Sequence, residues 1–95
     1  MVDLYHIYLR PKASINLDAV KEKMNLALDW YMYADHCWVV KTTSDSAKWQ
    51  ARLKSLVEPE GSLLIFKIEP LTRQGWMPKS FWDWLKSDKK SDDPA

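Results

Sequence analysis

Residues 29–43 read Asp29-Trp30-Tyr31-Met32-Tyr33-Ala34-Asp35-His36-Cys37-Trp38-Val39-Val40-Lys41-Thr42-Thr43. Aromatic and β-branched residues crowd the stretch, Gly and Pro are absent, and one polar dipeptide, Asp35-His36, interrupts it. Such residues suit a pleated, half-buried surface. The break predicts a hairpin with arms at residues 30–34 and 37–43.

Working outward, a strand and a helix precede the hairpin, and a helix and a strand follow it. Residues 2–10 alternate with a period of two, Tyr5, Ile7 and Leu9 on one side and Val2, Leu4, His6 and Tyr8 on the other. Neither side is polar, which predicts a strand covered on both faces. Pro11 ends the ladder, leaving residues 11–14 as a loop. Asn16 is the expected cap of the first helix, with Asp18 in its first turn. Val20, Met24 and Leu28 recur every four residues, joined by Leu17 and Ala27, and predict a one-faced helix ending near residue 28 or 29.

After the hairpin, Ser44 or Ser46 is expected to cap a second helix running to Val57, with Trp49, Leu53 and Leu56 or Val57 inward and Lys48, Arg52 and Lys54 outward. Pro59 and Gly61 mark a turn. Residues 62–69 read as the last strand, with Leu64, Phe66 and Ile68 expected on the core side and Leu63 and Ile65 opposite. Pro78 suits a first helical position, and Phe81, Trp84 and Leu85 share one side of the short helix that should follow, flanked by Trp82. The order β-α-β-β-α-β predicts an α+β, ferredoxin-like domain over residues 1–70, a four-stranded antiparallel sheet with two helices on one face. Residues 71–86 form a Trp-rich extension carrying a short C-terminal helix. Residues 87–95, rich in Lys and Asp, are expected to be a disordered tail.

Two helices on one side leave the other face of the sheet open. Leu4, His6, Tyr8, Leu63, Ile65 and alternate hairpin residues, Trp38 among them, are expected there, too apolar to leave in water. Six Trp in 95 residues sharpen the point. Two covers are available: the segment holding Trp76, Phe81, Trp82 and Trp84, packed in cis or reaching onto a partner, or the same face of a second copy. The reading is a homodimer with this face as its interface.

Composition narrows the remaining classes. Lys plus Arg total 14 against 13 for Asp plus Glu, a formal charge of +1, so nothing pulls the whole chain toward nucleic acid or an anionic membrane. One cysteine, Cys37, permits no internal disulfide. No apolar run approaches the roughly 20 residues of a membrane span, and the expected location is cytoplasmic. No cofactor and no metal site is expected, because His6, His36, Cys37 and Asp35 lack any ligand spacing. In Asp35-His36-Cys37, neighbours on an extended chain point to opposite faces, which argues against a nucleophile and its base. Tyr8, Arg10, Lys12, Tyr33 and Lys41 form the candidate nucleic-acid surface, since bases stack on aromatic rings beside cations.

The run of residues 30–42, followed by Ser46-Ala47 and Leu53, resembles small bacterial and phage proteins labelled SinR-like, which have an aromatic strand ending in Asp, a Trp-containing strand and a helix beginning Ser-Ala. The resemblance covers residues 4–69. By fold that group is similar to CRISPR-associated proteins that dimerise to scaffold spacer integration and to virulence-associated toxins with ribonuclease activity. The resemblance implies a phage-related, dimeric, ferredoxin-like protein. It also implies a magnesium-binding Asp at the end of strand one, where this chain has Tyr8, Leu9 and Arg10, which cannot replace the oxygen anions a hard cation needs. The sequence therefore reads as a non-catalytic protein-association domain, with a nucleic-acid binder or metal-dependent nuclease as the alternative.

Overall fold

The computed structural model describes residues 2–69 and 75–86. Its elements are β1 (Asp3–Arg10), α1 (Leu17–Met24), β2 (Asp29–Ala34), β3 (Cys37–Thr42), α2 (Ser46–Val57), β4 (Ser62–Ile68) and α3 (Lys79–Lys86). The strands make one open antiparallel sheet in the order β2-β3-β1-β4. β1, apolar on both sides, takes an interior position. The hairpin closes at Asp35 and His36, where His36 adopts φ 65, a left-handed conformation in which His is enriched, and its carbonyl accepts from the Leu9 amide at 2.8 Å.

The face under α1 and α2 holds the core. Ile7, Met24, Val40, Trp49 and Leu53 are fully buried, with Leu9, Trp38 and Val20 nearly so. Trp30 meets Trp38 edge-on at 4.9 Å, and the buried Trp49 indole donates to Thr42 Oγ1 at 3.1 Å, so its polar atom is satisfied.

Four expectations need correction. The cap of α2 is Asp45, whose Oδ1 accepts from the Lys48 amide at 2.9 Å, rather than Ser44 or Ser46. A carboxylate caps as well as a hydroxyl and also suits the helix dipole. The first helix stops at Met24, because Asn25 caps it and the Leu28 amide is taken by the Lys41 carbonyl at 2.8 Å, drawing the chain into the sheet. Leu28, past the helix end, is consequently exposed, and Leu17 at its start is exposed as well. Strand β4 sits in the opposite phase: Ile65 lies opposite Ile7 and Leu63 opposite Leu9 on the helix side, while Leu64, Phe66 and Ile68 turn to the other face. Trp38 also belongs to the helix side, between Met32 and Ile7.

The entry to β4 explains its phase. Gly61 donates to the Val57 carbonyl at 2.6 Å, and a Cβ there would run into the Arg10 carbonyl, so the turn delivers Ser62 opposite Arg10. A one-residue slip would exchange the two faces. Two truncations check the phase: Ile65→Ala should cost about 2 kcal/mol in chemical denaturation, and Phe66→Ala under about 1 kcal/mol. The reverse ranking would refute the register.

Candidate association face

Opposite α1 and α2 the sheet presents three cross-strand rows. The first runs Asp29, Lys41, Leu4, Ile68; the second Tyr31, Val39, His6, Phe66; the third Cys37, Tyr8, Leu64, with Tyr33 beside it at a bulge in β2. The rows divide at β1 into two halves of different fate.

The β2–β3 half is covered by α3 from the same chain. Phe81 is buried against Tyr31, edge-on at 5.1 Å, and stands 6.2 Å from Tyr33; the Trp84 ring lies 5.6 Å from Tyr31. Polar contacts set the helix in place. Lys41, 3% exposed, donates from Nζ to the Trp84 carbonyl at 2.6 Å and lies 4.5 Å from the centre of the Trp84 ring. That carbonyl is in the last turn of α3, where backbone oxygens lack helical partners and a cation is favoured. The Trp84 indole in turn donates to Asp29 Oδ2 at 2.9 Å, and Tyr31 and Ser80 hydroxyls approach to 3.2 Å. A buried cation without such partners would cost several kcal/mol (about 3–5).

Between α3 and β1 lies an apolar cleft of about 250 Å³, lined by Val39, Ile68, Met77, Phe81, Trp82 and Leu85, with His6 and Tyr33 as its polar members. His6 Nε2 and the Tyr33 hydroxyl are 2.5 Å apart. Burial holds His6 below its ordinary pKa, and burial followed by the neighbouring Cys37 raises that of Tyr33. Both shifts favour the neutral forms.

The β1–β4 half carries no such cover among the described residues. Leu64 is 48% and Phe66 56% exposed, beside the half-buried Leu4 and Tyr8. Trp76, on the approach to α3, is 98% exposed.

The expected interface residues thus separate. Leu4, His6 and Tyr8 lie on the open face; Trp38, Leu63 and Ile65 lie on the other; Phe81, Trp82 and Trp84 belong to the cis cover; Trp76 is exposed. Sequence reasoning missed the clamp formed by Lys41 and Asp29, although a lysine flanked by Val40 and Thr42 in a buried strand signals a dedicated partner. It also missed Leu64 and Phe66, which belong to the strip. Of the nucleic-acid set, Tyr8 and Tyr33 neighbour each other on the helix-free face, Lys41 is buried beneath α3, opposite Leu4 at one end of β1, and Arg10 stands at the other end, donating to Ser62 Oγ at 3.2 Å. Lys12 follows Arg10, its amide bonded to the Leu56 carbonyl. Among the described residues no three His, Cys, Asp or Glu side chains are grouped to hold a metal ion, and no helix is long and apolar enough to cross a membrane. Comparison with protein-family models, curated proteins and solved structures yields no match.

Two outcomes follow from this geometry. Lys41→Ala should release α3, seen as faster amide exchange and proteolysis at residues 79–86 while the sheet stays protected; unchanged protection of α3 would refute the clamp. Because His6 is depressed, the unfolded chain binds more protons below its ordinary pKa of 6.5, so stability is greatest above that value and falls as pH drops through it toward the folded value. Thermal unfolding by circular dichroism should show part of this acid loss removed in His6→Gln; an identical pH dependence would refute the assignment.

Proposed function

We propose that the protein is a small non-catalytic protein-association domain of ferredoxin-like fold, self-associating as a homodimer through the part of its helix-free sheet face that α3 leaves open. The fold reading is supported by the β-α-β-β-α-β order of the first six elements and by the strand order 4-1-3-2. The association reading is carried by one observation: Leu64 and Phe66, about half exposed, stand opposite Tyr8 and His6 on a largely apolar strip. Burying side chains of this size is worth about 1.5–3 kcal/mol each, so a matching apolar surface is the natural occupant. Trp76, 98% exposed beside the cleft, is the aromatic anchor available in trans. A cytoplasmic location and a phage-related origin belong to this proposal, the latter supported by the residue pattern at 30–42.

Sedimentation at tens of micromolar should give twice the chain mass of 11.2 kDa. Phe66→Asp should give a monomer with an unchanged far-ultraviolet spectrum, and added magnesium or manganese should leave RNA and DNA intact. A wild-type monomer under these conditions, or metal-dependent cleavage lost in Asp35→Ala or Asp3→Ala, would overturn the proposal.

A further inference from the structure

The two edges of the sheet are treated differently. β2 is interrupted by a register shift between Met32 and Ala34, the kind of device that keeps an edge from pairing. β4 has none. Among the described residues its outer edge pairs with nothing, and its seven residues, Ser-Leu-Leu-Ile-Phe-Lys-Ile, contain no Pro and a single charge. A regular apolar edge of this kind is a template for another strand.

We infer that β4 pairs antiparallel with β4 of a second copy about a two-fold axis at Ile65, joining two sheets into one of eight strands. The inference rests on the self-association proposed above and assigns the strand that makes it. An axis at Ile65 uses the full strand: Ser62 faces Ile68, Leu63 faces Lys67 and Leu64 faces Phe66 of the second copy. An axis one residue to either side leaves two strand-end residues without a partner. On the open face the chosen register sets each exposed Leu64 against an exposed Phe66, an aromatic–aliphatic pair repeated on both sides of the axis. Leu64 and Phe66, the exposed pair on which the self-association proposed above rests, then cover one another across the seam.

The self-matching register, which sets exposed Leu64 against exposed Phe66 twice, points to a second copy as the occupant. Lys67, the one charged residue of β4, meets Leu63 and lies away from its own twin. On the helix side a groove of about 340 Å³ runs along this edge between Leu63, Ile65 and the α2 residues Ser46, Ala47 and Gln50, none of them charged. α2 packs on β4, so edge pairing brings the α2 helices of the two copies alongside each other. Within the paired strands no like charges meet at the axis, and every facing residue is supplied by the chain itself.

Amide hydrogen exchange of the full chain, followed by NMR over a dilution series, tests the pairing. At concentrations where sedimentation gives a dimer, alternate amides of β4, those turned away from β1, should exchange at least about tenfold more slowly than in the diluted monomer, and Phe66→Asp should abolish the slowing. A dimer whose outward β4 amides exchange as fast as the monomer's overturns the edge pairing and leaves self-association standing. A monomer at every concentration overturns both.

Discussion

A strand with apolar side chains on both faces has to be shielded twice, and the architecture follows from that requirement on β1. Its Tyr5, Ile7 and Leu9 are buried beneath α1 and α2. Its Leu4, His6 and Tyr8 look the other way, into a surface for which the β-α-β-β-α-β segment supplies no helix. The chain answers with α3, which reaches only half of that surface. The division, among the described residues, between a covered β2–β3 half and an open β1–β4 half is the feature from which the proposed function derives.

What holds α3 down is a polar clamp inside an aromatic cluster. Phe81, Tyr31 and Trp84 supply the apolar area, but rings alone tolerate many orientations. Lys41 and Asp29, opposite each other on β3 and β2, bind the carbonyl and the indole of the single residue Trp84. Two directional contacts to one residue orient the helix. They also satisfy a cation that the cover itself removes from water. The same burial takes Lys41 out of reach of solvent.

Much of this was legible in the residues. The hairpin declares itself by its aromatic and β-branched run broken at Asp35 and His36, and Asn16 and Asp18 mark the start of α1. Three features were not legible. A strand such as Ser62–Ile68, apolar at both odd and even positions, carries no phase information, and its orientation comes instead from the tight approach of Gly61 to the Arg10 carbonyl. The end of α1 is decided by a long-range bond from the Leu28 amide to Lys41, which no local pattern contains. Whether the Trp-rich segment packs in cis or in trans depends on contacts between residues more than forty positions apart, such as Tyr31 with Ser80 and Lys41 with Trp84.

In the proposed dimer one surface is shared between the chain's own helix and a second molecule. Isotope-filtered NOE spectroscopy on a sample mixed from labelled and unlabelled chains separates the two directly. The account predicts contacts between differently labelled chains at Leu64 and Phe66, with contacts of Phe81 to Tyr31 arising only within a chain. Phe81 contacting Tyr31 only between chains, or Leu64 and Phe66 showing no contact between chains in a sample that sediments as a dimer, would contradict it.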